Sequence, residues 1–437
     1  MFFRLKEKKE VHITALGGID RVGGANCYLL ETPKLRMLID CGCALIPLSG
    51  ALFEEDLTEF SYPDFSRIEK KGIDMVLLSH AHFDHIGALP MLIKKLRGQK
   101  LQIVASELTL RTIRRSFYDF YREFRQFPFE TVRVYPGKPI KYGESSILPV
   151  EVPHSVPQSM GFYLEIPGKK IFYPGDFKVN DAEESKTDSF KKTISDLAQR
   201  KTDILFLDSS NIYEDGFTLS DRLVWQELER IFSETKGRII FTTFSSHLAR
   251  LKAVIQIAES QKRPVYAAGR NLIAFLKAGE IRGWKRFNSH NRFESRVLIL
   301  TTGCEAEAES GLVNAVFGEA PFRLSFGDTV IISADPIPIP EIENRVREMV
   351  RRLTKITKKV YISAEAPDDF SPKAQRANIH VSGHGKKEDL LYLVRELRPK
   401  LVIPVHGDVG KRQCLANLIK KEGVETKIIE TNVPFEV

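Results

Sequence analysis

The run His80-Ala-His82-Phe-Asp84-His85 constrains this chain more than any other feature. It stands between an apolar MVLLS, read as a strand, and IGALPMLIKKL, read as a helix. Imidazole and carboxylate are ligands of borderline divalent metals, and four such side chains within six residues converge only where a strand opens into a loop. One tight cluster cannot fill two metal sites, so further ligands belong at other strand ends. His154 in EVPHS, Asp176 in YPGD and His406 in IPVHGD each follow an apolar run. Singly, each would serve as a cap or a satisfied core polar group; their joint placement favours a metal site.

The rest of the chain supplies the frame. Its 437 residues have room for two or three domains, and 43% hydrophobic against 28% charged residues matches globular usage and excludes wholesale disorder. From Val11 to about Ser210 short β-rich runs recur, among them HITALGG, NCYLLET, RMLIDCG, LQIVAS, GFYLEIPG and DILFLDSS. Most stop at Gly, Asp, His or Ser, where layered α/β folds assemble their sites. Between 211 and 372 helical and strand segments alternate, as in LVWQELERIFS then RIIFTTFS, which predicts a parallel sheet with right-handed crossovers. In 373–437, ANIHVSGHG and LVIPVHGD again place His at strand ends. The expected plan is one α/β domain formed by 1–210 and 373–437, with 211–372 inserted into it. The polar run DAEESKTD at 181–188 reads as a solvated loop.

Five cysteines form an odd, scattered set without a C-x-x-C pair, so neither a disulfide framework nor a zinc knuckle is indicated, and a reducing cytoplasm fits best. The opening MFFRLKEKKE has no apolar segment behind it, and no apolar stretch is long enough to span a membrane. A net charge of +8 mildly favours a polyanionic partner. The 111–129 stretch interleaves five arginines with Phe117, Tyr118, Phe120, Tyr121 and Phe124, which suits phosphates and stacked bases and equally suits an amphipathic helix with its aromatics turned inward. The basic run from Arg345 to Lys359 has helical spacing and reads as a solvated face.

HAHFDH together with Asp40 in MLIDCG, His154 and Asp176 resembles the metallo-β-lactamase superfamily, which implies an αββα sandwich holding two metals at one edge. LDSSN with Asp208, VSGHG with His384 and PVHGD with His406 resemble the A, B and C motifs of the β-CASP nucleases. TTFSSHLAR, AAGRNL, LTTGCEAE and DTVIISADPIP resemble ribonuclease J, and the resemblance extends from LGGIDRVGGANCYLLE to PVHGD. SGHGKK and PVHGD depart from the SGHAS and PVHGE usual in that family. The lack of long extensions at either end resembles the short archaeal type.

The resemblance implies the following expectations. One metal takes His80, His82, His154 and Asp176; the second takes Asp84, His85, Asp176 and His406, with Asp176 shared and Asp40 orienting the histidine loop. Zinc is the expected ion, with manganese the alternative. Such a pair activates water and neutralises phosphate charge, so phosphodiester hydrolysis is the natural reaction, with Asp84, Asp208 and His384 catalytic and His384 the proton donor to the leaving oxygen. Ser246, Arg270, His384 and the backbone at Gly385 form the expected clamp for a 5′-monophosphate, which implies a 5′→3′ exoribonuclease acting on single-stranded RNA in decay or maturation. The competing readings are an RNA endonuclease, a DNA-directed β-CASP nuclease and a non-catalytic RNA-binding scaffold. The DNA-directed relatives typically carry Val where this chain has His406, and degenerate scaffolds lose metal ligands that are all present here. Oligomeric state is open, a homodimer included.

Overall fold

The computed structural model describes residues 10–47, 58–96, 99–117, 129–288, 290, 294–320, 322–367 and 369–437. Three seven-stranded sheets organise them. The first runs Phe435–Glu436, His12–Gly17, Cys27–Glu31, Arg36–Ile39, Met75–Leu77, Gln102–Ala105, Glu130–Arg133. The second runs Glu425–Thr426, Leu401–Val405, Ile204–Asp208, Lys169–Tyr173, Met160–Ile166, Ser145–Glu151, Ile140–Tyr142. Side chains alternate across each strand, and both faces of both sheets are covered. Met37, Ile39, Met75 and Leu77 meet Phe162, Ile171, Ile204 and Phe206 in the core between the sheets. Leu38, Val76 and Ile103 point outward onto Leu89, Leu92 and Ile113, while Phe172, Leu205 and Leu207 point outward onto Phe190, Ile194 and Leu393. The result is an αββα sandwich.

The third sheet runs Lys285–Arg286, Val265–Ala268, Leu298–Thr301, Ile239–Thr242, Thr329–Ile332, Lys359–Ser363, Gln375–Ala377, and every pairing in it is parallel. Helices Asp221–Glu234 and Leu248–Ser260 cover one face through Leu228, Ile231, Val254 and Ala258. Helices Gly311–Phe317 and Pro340–Ile356 cover the other through Leu312, Met349 and Leu353. Gln375–Ala377 still belongs to this sheet, so the chain returns to the sandwich only after Ala377. One apolar cluster continues from the outer face of the first sheet, through Ile113, to Leu272 and Leu276 beside the third. No helix among the described residues is long and apolar enough to cross a membrane.

Two local expectations hold only in part. The polar run at 181–188 is not all loop: helix Glu184–Arg200 starts inside it, because Phe190, Ile194 and Leu197, with Thr187 buried on the same face, form a stripe that charged neighbours hide in the sequence. The basic run from Arg345 to Lys359 is solvated at Arg351, Lys355 and Lys358, but Arg345 is buried, Arg347 pairs with Asp369 at 3.0 Å and Arg352 lies over the Phe317 ring. Of the 111–129 stretch, helix Glu107–Ser116 turns Leu110 and Ile113 inward, and Arg111 pairs with Glu107 and Glu280, both at 2.6 Å. Tyr118, Phe120, Tyr121, Arg122, Phe124 and Arg125 lie outside the described residues.

Candidate metal centre

Six strand ends converge at one edge of the sandwich. Arg36–Ile39 delivers Asp40, Met75–Leu77 delivers Ser79 and His80, Ser145–Glu151 leads to His154, and Lys169–Tyr173 leads to Asp176. Ile204–Asp208 ends on Asp208 itself, and Leu401–Val405 delivers His406. Asp40 and His406 adopt left-handed backbone with φ of 59° and 56°, a conformation non-glycine residues enter only where surrounding contacts over-determine it. Gly42 is required as glycine: a Cβ there would lie 1.6 Å from the Asp84 carbonyl oxygen, so a side chain would push the histidine loop away from the strand ends.

The imidazoles are oriented from behind. The buried Asp40 carboxylate accepts from the Ser79 amide at 2.7 Å, the Ser79 hydroxyl at 2.8 Å, the Tyr173 hydroxyl at 2.5 Å and His85 Nδ1 at 2.7 Å. Ser79 Oγ gives its proton to Asp40, so it accepts from His80 Nδ1 at 3.0 Å. Ser210 Oγ donates to Asp208 at 2.6 Å and therefore accepts from His406 Nδ1 at 2.7 Å. The Gly383 carbonyl accepts from His154 Nδ1 at 2.8 Å, and a Cβ on Gly383 would meet His154 Cε1 at 2.7 Å. In each case Nδ1 is engaged from behind, so Nε2 is the ring nitrogen that faces the cluster and can ligate a metal once it is free of its proton.

The inward-facing ring nitrogens lie close to one another. His80 Nε2 is 3.0 Å and His154 Nε2 3.2 Å from His82 Nδ1. Asp176 Oδ2 is buried without a hydrogen-bond partner, although His85 Nε2 at 3.2 Å, His80 Nε2 at 3.6 Å, His406 Nε2 at 3.7 Å and His384 Nδ1 at 3.8 Å surround it. Converging ring nitrogens and an orphaned carboxylate oxygen suit bound cations. His80, His82, His154 and Asp176 form one set of donor atoms within 4.8 Å of one another; Asp84, His85, Asp176 and His406 form another, sharing Asp176. Asp176, Asp208, His384 and His406 form a third overlapping group. All seven residues singled out as ligands from the sequence thus meet in one place. The donor chemistry is that of a divalent metal centre.

The charge balance differs across the cluster. Burial drives His80 and His154 well below the ordinary imidazole range and lowers His82 to about 4. Burial opposes charge on His85 too, yet Asp176, Asp84 and Asp40 lift it well above that range. Against the same opposition, Asp176 and Asp84 raise His406 to about 9, and Asp208 with Asp176 raises His384. Burial would push the carboxyls up, but His406 and His85 hold Asp176 well below its ordinary range, and His85 and His406 do the same for Asp84.

His384 Nδ1 lies 2.7 Å from Asp208 Oδ2, and the His384 side chain is one-fifth exposed where the cluster opens. Phe83, between His82 and Asp84 in sequence, lies 6.1 Å from Phe60, itself 6.3 Å from Tyr62; all three rings are exposed. Ser246 and Arg270 stand on the inserted sheet's side of the chain. They follow strands Ile239–Thr242 and Val265–Ala268 of the inserted sheet, Ser246 buried and Arg270 at the first residue of helix Arg270–Ala278 with its surface open to solvent. Gly385 lies against Asp389, which accepts from the Lys386 and Thr218 amides at 3.0 and 2.7 Å. Asp408, where the chain departs from the usual Glu, caps helix Val409–Lys421 by accepting from the Lys411 amide. Sequence reasoning missed Ser79, Tyr173, Ser210 and Gly383. Their only signal is proximity in sequence to His80, Asp176, Asp208 and His384.

The chain matches three family profiles: a Beta-lactamase superfamily domain over residues 35–212, a Ribonuclease J, beta-CASP domain over 236–353, and a Zn-dependent metallo-hydrolase RNA specificity domain over 372–433. It is 31% identical over 417 residues to ribonuclease J of Helicobacter pylori, covering 92% of this chain and 57% of the relative. To ribonuclease J of Mycobacterium tuberculosis it is 28% identical over 431 residues, covering 96% and 73%. The chain therefore spans little more than half the length of the Helicobacter relative. A crystal structure of a protein of unknown function from Enterococcus faecalis superposes with a TM-score of 0.65 at 17% identity, covering 98% of this chain and 100% of that one, which is a likeness of fold.

Proposed function

The chain belongs to the β-CASP branch of the metallo-β-lactamase superfamily, the branch that includes ribonuclease J, and from that premise we propose that it is a two-metal ribonuclease acting on single-stranded RNA. The observation that carries this reading is the shared Asp176 carboxylate, whose Oδ2 lacks a hydrogen-bond partner among oriented imidazoles beside the Asp208–His384 pair. His80, His82, His154 and Asp176 would hold one ion, and Asp84, His85, Asp176 and His406 the other. When bound, divalent ions supply Lewis acidity, which acidifies water and neutralises charge on a phosphate. Histidine-rich ligation favours zinc over manganese.

The chain's own residues do the rest. Asp208 holds the proton on His384 Nδ1 and favours the charged ring, so His384 Nε2 donates to the leaving 3′-oxygen. Asp40, Ser79, Ser210 and Gly383 keep the rings of His85, His80, His406 and His154, respectively, in one orientation. Phe60, Tyr62 and Phe83 offer ring faces on which bases stack without regard to sequence. Ser246 and Arg270 follow strands of a parallel sheet at its carboxyl edge, the edge at which open α/β sheets take ligands. This supports a clamp there for a 5′-monophosphate and hence 5′→3′ exonucleolytic cutting. The test is to incubate metal-loaded protein with RNAs of one sequence bearing 5′-monophosphate, triphosphate or hydroxyl ends and read product lengths. Mononucleotides released fastest from the monophosphate end support the reading; internal products at equal rates from all three ends overturn the polarity.

A further inference from the structure

A buried chain of charges links the metal centre to the inserted sheet. Lys178 stands two residues after Asp176, and its Nζ donates to Asp221 Oδ2 at 2.5 Å. Asp221 opens helix Asp221–Glu234, and its other oxygen accepts from Arg250 at 2.9 Å. Arg250, fully buried on helix Leu248–Ser260, also donates to the Ser333 carbonyl at 3.0 Å, to His380 Nδ1 at 2.7 Å and to the Val381 carbonyl at 3.2 Å. Ser333 Oγ donates to the Ile379 carbonyl. The fork of Arg250 therefore holds the segment by which the chain leaves the third sheet. That segment continues directly into Gly383, whose carbonyl orients His154, and His384, which meets Asp208.

Stability alone does not account for this arrangement. Three ionised groups are withdrawn from water here, Arg250 Nε has no partner, and apolar residues of similar volume generally do as well or better energetically. What the charges add is direction, since a guanidinium fork fixes the acceptors around it in one plane.

We infer that Lys178, Asp221 and Arg250 are positioning residues for RNA cleavage, tying the 379–384 segment in register with Asp176 so that His384 sits where the leaving oxygen departs. The inference rests on the ribonuclease reading above. The triad touches no substrate; it acts through Gly383 and His384.

The test compares the parent with Lys178→Met/Asp221→Leu/Arg250→Met, which removes every charge of the triad at once, and with the conservative Arg250→Lys. Four quantities are read: bound metal, hydrogen exchange of the peptide spanning 379–386, hydrolysis of bis-p-nitrophenyl phosphate, and kcat and KM on single-stranded RNA. Nitrophenolate leaves without help from an acid, whereas a ribose 3′-oxygen needs one. The triple variant should keep its metals and its nitrophenyl ester activity. It should exchange the 379–386 amides about tenfold faster and lose about 10²-fold in kcat on RNA with KM little changed. Arg250→Lys should lie between the two. Unchanged exchange, or RNA turnover at the parental rate, overturns the inference, as does equal loss of both activities together with the metals. If the metal-loaded parent does not cleave RNA while exchange still responds, the ribonuclease reading fails, and a role in RNA cleavage fails with it.

Discussion

His384 Nδ1 stands 2.7 Å from Asp208 Oδ2, and the carboxylate fixes which ring nitrogen is left for chemistry. Asp208 is buried and bound on its other oxygen by the Ser210 amide and hydroxyl, so it cannot turn away from the ring. Replacing His384 by Ala should leave metal content at the parental level and slow RNA cleavage by about 10²- to 10⁴-fold, roughly 3 to 5 kcal/mol of barrier. Asp208→Asn should show a smaller loss of the same kind. Single-turnover rates with metal analysis on the same samples check this; parental turnover by His384→Ala contradicts the assignment.

Asp40 takes four hydrogen bonds behind the histidines and is not in either set of converging donors. Asp40→Ala should lower metal affinity by about 10- to 100-fold through loss of His85 and His80 orientation. Chelator competition on the variant measures it. Affinity equal to the parent would mean that the loop holds its shape without the carboxylate.

Metal uptake should expel protons. Nearby carboxylates raise His85 and His406, the latter to about 9, so both rings are charged near neutral pH in the protein's own field and must lose a proton to ligate. The raised values favour protons at low pH and metal at high pH. Affinity should therefore climb from about pH 6 to about pH 9, with proton release visible as a dependence of binding heat on buffer ionisation enthalpy. A flat affinity over that range would rule the protonated rings out.

How far the sequence alone reaches depends on what kind of group does the work. His80, His82, Asp84 and His85 are legible because four ligand side chains packed into six residues suit a metal centre and little else. The sandwich is legible because strands such as Met75–Leu77 and Ile204–Asp208 are buried on both faces and read as unbroken apolar runs. Ser79, Ser210 and the Gly383 carbonyl are not legible, since hydroxyls and carbonyls occur everywhere and only the folded geometry selects them. Helix Glu184–Arg200 escapes for the opposite reason: its first turn is charged and exposed, and its apolar residues fall outside the window that reads as loop. Lys178, Asp221 and Arg250 lie far apart in sequence, and nothing in their neighbours marks them as partners.

Arg270 stands at the start of its helix, outside the ion pairs that engage Arg111 and Arg250 among the described residues. Arg270→Ala should shrink the preference for a 5′-monophosphate over a triphosphate or hydroxyl by the worth of one charge-assisted hydrogen bond, about 1.5 to 3 kcal/mol, with metal content unchanged. Competition between differently ended RNAs reads this ratio. A ratio identical to the parent's would place the phosphate contact elsewhere.

The most direct measurement pairs elemental analysis with RNA hydrolysis on one preparation. Purified protein should carry close to two transition-metal ions per chain, zinc foremost, and cleave single-stranded RNA. Chelation should abolish the cleavage and re-addition of metal should restore it. Protein that holds no transition metal, or that cleaves RNA equally well after chelation, would contradict the two-metal account.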